Sequence, residues 1–538
     1  MLTKVVNTII LSFTLSLFCC APKTQILDIY DNGKKKLIRE YKVTKNGVRP
    51  DSVTTKLLKY HRNGMRFYFQ DILGGDPNGN YRSWFDSGRK YAKGNYINGQ
   101  LAGKWTWYGN DGLLDSVRSF HQDVLNGVYI NYFNNGKPQL IIDYVDNKKD
   151  GSYKEYNRSG QKVSIGQYRK NIPHGRWIWW NNKLKTRELN YNNGLKNGTM
   201  EVFNNKGKIK IKGSYFEDQK DGIWKWYSEQ KGLDSLISYM ENNYNGEYKV
   251  WYNNGELFVS GHYALGKRIG EWKWFNREKK RDSTKVYNDG QLNGLTTIYY
   301  DGKKEYKLMD YINDKLHGEM KTFYNNGKMQ SLLTFEDGRR SGAYKYWDDN
   351  GIKEEEGFYL NDKLHGLVSR WYDEQQMSSI AMFADGNLQG LMRIFSPSGS
   401  IMKEGYYYNG NPITIFEYYE NGRFKRINIY RENEIINEKL WAESGVNITN
   451  NALGLRTKSN VHINGNPKYE CTFMNNDKHG VEWYWGEYFD LQSLNVYDQG
   501  ELVLTRTWTS IGQPNIDVLF PGENREVIIG PYSSADLD

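Results

Sequence analysis

Glycine recurs along this chain with a fixed step. Gly79, Gly103, Gly127, Gly151, Gly175, Gly198, Gly222, Gly246, Gly270, Gly294, Gly318, Gly342, Gly366 and Gly390 are 24 residues apart in every case but one, where the step is 23. With each glycine as position 0, position +5 is aromatic in all fourteen repeats, from Trp84 and Tyr108 to Trp371 and Phe395. Position +17, or +16 in the short repeat, is aromatic in all fourteen as well; Tyr144, Tyr168, Tyr215, Tyr263, Tyr311 and Tyr359 belong to this column. Aromatic residues are 15% of the chain, so two filled columns cannot arise by chance. A period of this length marks one supersecondary unit copied side by side, each copy burying its neighbour.

The unit is read as a β-hairpin. Gly103 to Tyr108 alternates and is rich in β-formers. A turn is predicted at +7 to +9, where Asn135-Gly136, Asn254-Gly255 and Asn326-Gly327 fall. Asn-Gly suits a two-residue type I′ loop, in which both residues need positive φ. A second strand then runs from about +10 to +17, and a second turn, often with glycine at +20, leads onward. With the Asn-Gly loop as pivot, positions summing to 17 lie opposite each other. The glycines at +15 (Gly94, Gly166, Gly213, Gly261, Gly357, Gly405) then face Tyr81, Tyr153, Met200, Tyr248, Tyr344 and Met392 at +2. Position 0 likewise faces the ring at +17. Large rings over cross-strand glycines stabilise sheets. The expected fold is all-β: an elongated antiparallel meander of hairpins in a single twisted layer, with +2 and +17 on one face and +5 on the other.

The repeats are regular over 79–413 and extend loosely over 25–430. Residues 431–455 lose the pattern, and 456–538 read as degenerate repeats with a C-terminal cap. Residues 1–20, MLTKVVNTIILSFTLSLFCC, read as a signal segment: Lys4 is the positive end and Val5 to Phe18 an apolar stretch shorter than a membrane span. Leu17-Phe18-Cys19-Cys20 resembles a bacterial lipobox, which makes Cys20 the lipidated residue and 21–24 a tether. The localisation that follows is the bacterial cell envelope, lipid-anchored, at the outer membrane of a Gram-negative cell.

The phrases Tyr311-Ile-Asn-Asp-Lys-Leu-His317-Gly318, Tyr359-Leu-Asn-Asp-Lys-Leu-His365-Gly366 and Asn476-Asp-Lys-His479-Gly480, with the Trp-x-Trp strings after position 0, resemble the MORN-repeat variant family of bacterial YwqK-type antitoxin proteins. The resemblance implies a scaffolding or partner-binding role, with antitoxin activity as an alternative.

No enzyme signature is found. There is no GxSxG, P-loop or strand-coupled GxGxxG. Of eight histidines, His174, His317, His365 and His479 precede a position-0 glycine and read as turn residues; His61, His121, His262 and His462 are scattered without metal-ligand spacing. No cofactor and no metal are expected. The three cysteines, Cys19, Cys20 and Cys471, form no disulfide framework. The 73 basic and 63 acidic residues give a net charge of +10 that is spread along the chain, which argues against a nucleic-acid partner. Trp105, Trp107, Trp177, Trp179, Trp224, Trp226, Trp272 and Trp274, at +2 and +4, form the candidate binding face. The reading is a non-enzymatic envelope scaffold that binds a protein, or a glycan through this aromatic ladder, and meets the membrane through its N-terminal lipid.

Overall fold

The hairpins expected from the glycine spacing are present in the computed structural model of the protein. It describes residues 21–46, 49–230, 232–447, 456–487, 490–508, 514–519 and 527–529. Residues 1–20, with the expected lipidation site Cys20, lie outside the described residues, as do 448–455 and most of the segment after 508. No helix occurs among the described residues. The chain divides into two compact parts, 1–255 and 256–538.

In the N-terminal part each strand from Lys23–Ile29 to Asn243–Trp251 pairs antiparallel with its neighbour in sequence. The register is the expected one from 0 to +4: Gly79 lies opposite Tyr96 and Tyr81 opposite Gly94, and Gly198 lies opposite Tyr215 and Met200 opposite Gly213. It then shifts at +5, because Trp84 pairs with Lys90. Between successive hairpins a wide bulge spans position 0, and its glycine takes positive φ. Gly342, in the C-terminal part, has φ +123°, and a Cβ there would stand 2.7 Å from the Thr334 Cβ. Only glycine fits such a site.

The turn expected to be type I′ is not one. At +7 to +9 the loop holds three residues, not two. Phe133 N–H donates to Lys137 O (2.9 Å) and Gly136 N–H to Phe133 O (2.9 Å), and Gly136, but not Asn135, has positive φ. This is a type I turn closed by a glycine bulge. It leaves the asparagine side chain free to reach sideways. Asn135 Nδ2 donates to the Arg158 carbonyl of the next repeat (2.7 Å), and Asn63 and Asn326 do the same to Asp86 and Asp349 (2.7 Å each). His61 and Tyr324, at +6, bond the +5 carbonyls of Trp84 and Trp347 at 2.9 Å.

The type I′ turn sits instead at +19 and +20. Asp146 and Asn147 have φ +49° and +62°, and Glu217 and Asp218 have +47° and +66°. Here the +20 side chain closes a bracket onto the preceding repeat. Asn147 N–H donates to Leu125 O (3.0 Å), and its Oδ1 accepts from Leu125 N–H (2.8 Å). Asn and Asp tolerate this backbone because their short polar side chains bond locally. Leu265, with φ +46°, occupies the same kind of site without that compensation. Leu265→Asn should stabilise the C-terminal part by about 1 kcal/mol, read as a rise in its thermal midpoint; an unchanged midpoint would mean that the leucine carries no strain.

The single 23-residue step has a local cause. Asn181 pairs with Leu184, so the first turn of that repeat is cut to Asn182-Lys183.

The C-terminal part departs from the expected layout. Its first sheet continues past 430 through Glu434–Leu440, which pairs regularly with Phe424–Arg431. A second antiparallel sheet of seven strands, Arg456–Val461 to Val527–Ile529, follows. The two sheets pack face to face. Leu391, Tyr406, Phe416, Ile427 and Ile429 of one meet Val481, Trp483, Leu494, Val496 and Leu504 of the other in one buried cluster. The expected single layer therefore becomes a two-layer sandwich here.

Candidate functional site

The repeat sheet presents two chemically different faces. One carries positions +2, +4, +13, +15 and +17. Gly103, Gly127, Gly151, Gly175, Gly222, Gly246, Gly270, Gly318 and Gly366 all have positive φ at the bulges that set this register. At these bulges the +2 tryptophan of one repeat lies over the +15 glycine of the repeat before it. A Cβ on Gly94 would be 2.0 Å from the Trp105 ring, and one on Gly213 would be 2.2 Å from Trp224. Each such indole also donates Nε1–H to a +16 carbonyl: Trp105 to Asn95 (3.0 Å), Trp177 to Gln167 (3.1 Å), Trp224 to Ser214 (3.0 Å) and Trp272 to His262 (3.2 Å). The +17 tyrosines meet these indoles edge-on, Tyr168 with Trp177 at 5.1 Å, and Tyr215 with Trp224 and Tyr263 with Trp272 at 5.0 Å.

This arrangement corrects the candidate binding face. Trp105, Trp177, Trp224 and Trp272 are 3%, 6%, 2% and 1% exposed, so they are core residues. A sheet with a glycine at +15 leaves a hole, and the large ring fills it. Trp107, Trp179, Trp226 and Trp274 are half-buried, stacked on their +2 neighbours at 5.7–5.9 Å. Their rings also carry cations: Arg118 over Trp107 (4.9 Å), Arg187 over Trp179 (4.0 Å), Lys220 over Trp226 (5.5 Å) and Lys285 over Trp274 (5.3 Å). None of these eight indoles is left as a free platform for a sugar ring to stack on.

The opposite face carries +1, +3, +5, +14 and +16 and is mostly polar. Several of its +5 rings lie under +11 cations of the preceding repeat, as in Arg66 over Trp84 (5.3 Å), Arg281 over Tyr299 (5.3 Å) and Lys353 over Trp371 (4.0 Å).

In the sandwich this same face turns inward. Glu404, 1% exposed, is held by Arg393 (2.5 Å) and by Arg506 of the second sheet, itself 3% exposed. Burial would raise the Glu404 carboxyl, but the two guanidiniums outweigh it and hold the group below the ordinary carboxylate value. Arg431 and Asp498 add a bidentate bridge (2.5 and 2.8 Å), and Lys439 reaches Glu470 at 2.6 Å. A cleft of about 550 Å³ opens between the sheets, lined by Glu404, Tyr418, Phe424, Leu491, Arg506 and Trp508. The Glu404–Arg506 ion pair in its wall clamps the two sheets together, and Glu420 and Asp490 line it as well. Sequence reasoning did not find this network. The available signal was weak: +1 is apolar at Val128, Ile223, Leu295 and Leu367 as well as at Leu391, and only +16 changes character along the chain, from Asn95, Ser119, Asp143 and Gln167 to Phe358, Met382 and Tyr406.

His174 and His317 lie on strands Ile172–Asn181 and Lys315–Phe323 and not in turns as expected, His365 falls between Lys363–Leu364 and Gly366–Trp371, and His479 is 2% exposed, 3.4 Å from Asp498. Among the described residues no cluster of three or more His, Cys, Asp or Glu could hold a metal. Cys471 is buried, and burial pushes its thiol pKa up, away from reactivity.

The MORN repeat variant family matches residues 125–146, 244–264, 316–337 and 340–361. No curated protein sequence matches the chain. Among solved structures, the "Crystal Structure of TcdB2-TccC3-Cdc42" shares 10% identity over 94% of this chain and 34% of that chain, with a TM-score of 0.13. The "Structure of Photorhabdus luminescens Tc holotoxin pore, Mutation TccC3-D651A" shares 11% over 92% and 31%, with a TM-score of 0.12. The chain spans about a third of the length of these two chains. The four matched segments carry the same glycine and ring columns as the repeats around them, so the MORN repeat variant is shown at four repeats of this chain.

Proposed function

We infer that the chain is a non-enzymatic scaffold of the bacterial cell envelope, tethered by a lipid on Cys20, that binds a partner protein along the type I′ edge of its repeats. The observation that carries this reading is that exposed apolar side chains recur at +18, beside that turn, in about half of the repeats, with His121, Arg169, Asn288 and Glu336 there in others. Ile97, Val145, Phe216 and Met240 are among the apolar ones in the N-terminal part, and Ile312 and Tyr408 in the C-terminal part; Ile97 and Phe216 are each 54% exposed. Single exposed apolar residues are ordinary, but their recurrence at one position is an interface signal. The buried +2 and cation-covered +4 tryptophans disfavour the glycan alternative. The N-terminal Leu17-Phe18-Cys19-Cys20 supports the lipid tether, and a Cys20→Ala variant that still partitions into detergent would refute that part.

A photo-reactive residue placed at Ile97, Phe216 or Ile312 should cross-link one and the same envelope protein, and one at Ser152 on the polar face should not. The Phe216→Asp/Met240→Asp double variant should lose that product while keeping its far-ultraviolet dichroism. Equal cross-linking from Ser152 would sink the edge as the binding site.

A further inference from the structure

We propose that the hairpins over residues 76–108 form a binding site for a phosphorylated sugar-type ring, an organic phosphate dianion, on the polar face of the N-terminal part. The site begins with a register anomaly. On strands Asp76–Trp84, Lys90–Ile97 and Gln100–Tyr108, Arg82 lies directly opposite Lys93, and Lys93 directly opposite Thr106. Like charges directly opposite each other destabilise a sheet. The chain supplies its own control for this pair of positions, +3 and +14. In the other three repeats where both are charged, the charges are opposite and paired: Glu201 with Lys212 (2.9 Å), Lys345 with Glu356 (3.4 Å) and Arg393 with Glu404 (2.5 Å). Only here are both positions basic.

A third cation, Lys104, joins them. Arg82, Lys93 and Lys104 line one cleft of about 570 Å³, with Tyr108 and Tyr132 among its other lining residues and no carboxylate among them. None of the three has an ion-pair partner among the described residues. The Asp71 carboxylate on the same face accepts from Asn80 N–H (2.8 Å) and Nδ2 (3.2 Å) and does not line the cleft. A mutually repelling, unneutralised set of cations around a cleft is relieved by a multiply charged anion, and phosphate oxygens suit Arg and Lys donors. The cleft is larger than a bare phosphate needs, and two tyrosines offer ring faces of the kind that pack against a sugar.

The test is calorimetric titration of the full chain at low ionic strength with glucose 1-phosphate, inorganic phosphate and glucose. Glucose 1-phosphate should bind saturably, about tenfold tighter than inorganic phosphate, and glucose should give no signal. Lys93→Glu recreates the opposite-charge pair found in the other three repeats. It should therefore raise the melting temperature and at the same time weaken glucose 1-phosphate by more than about tenfold. Arg82→Gln, which introduces no new ion pair, should weaken it as well. Tyr108→Ala should remove the preference for the sugar ester and leave the phosphate affinity in place. Absence of saturable binding by both phosphates, unchanged binding in Lys93→Glu, or equal binding of glucose would overturn the proposal.

Discussion

Replacing Glu404 with alanine should cost the C-terminal sandwich about 3–5 kcal/mol, because it strands buried guanidiniums that the carboxylate now neutralises. Arg506 is 3% exposed and cannot turn to water without opening the sheets. The same logic sets the size of a control. Glu404→Leu combined with Arg506→Met removes the trapped charge along with its partner and should cost less than Glu404→Ala alone. Hydrogen exchange in strands Asn387–Phe395 and Glu501–Trp508 reads both. The pH dependence follows from the direction of the shift. Glu404 titrates below its ordinary value of 4.5 in the fold. A carboxyl depressed by folding contributes stability that is fully present above the unfolded-state value and lost as pH falls through the folded-state value. Protection should hold near pH 5, then fall as the pH drops below about 4.5, and Glu404→Gln should remove that acid step. A double variant as damaged as Glu404→Ala would show that the loss comes from packing and not from stranded charge.

Trp224→Ala should be the most damaging single change in the N-terminal part, at about 3–5 kcal/mol. The indole is 2% exposed, covers Gly213, donates to the Ser214 carbonyl at 3.0 Å and meets Tyr215 edge-on at 5.0 Å. Removing it opens a hole that a glycine-lined strand cannot close. Trp226→Ala, two residues on and half-buried, should cost about half as much or less. Because repeats lean chiefly on their neighbours, lost exchange protection should centre on Ile209–Phe216 and Gln219–Ser228 and fade within a repeat or two. Gly213→Ala should damage the same strands from the other side, since its methyl would fall 2.2 Å from the ring. Equal losses for Trp224→Ala and Trp226→Ala would contradict the division of this face into covered and half-covered rings.

Much of the architecture was legible before any coordinates. The 24-residue step fixed the hairpin, and the pairing of Gly94 with Tyr81 and Gly213 with Met200 followed from a single sum of positions. The type I′ turn was assigned to +7 to +9 because Asn-Gly satisfies two backbones. In a type I′ loop both residues need positive φ, whereas in a type I turn with a glycine bulge the glycine alone does, as at Asn135-Gly136. Which is used depends on what the asparagine side chain reaches, and that is the next repeat.

The tryptophans divide on similar grounds. Residue type placed Trp105 and Trp107 on one face, but whether a ring on a one-layer sheet is covered depends on the adjacent repeat's glycine and on nearby cations. The sequence alone determined period, strand register from 0 to +4 and the sidedness of the aromatic columns, because these follow from alternation and local backbone freedom. Only the tertiary structure decided that Leu391 and Tyr406 lie under a second sheet and that Glu404 meets Arg506, about a hundred residues away. Contacts between separate sheets depend on how the chain returns on itself, and no local periodicity encodes that.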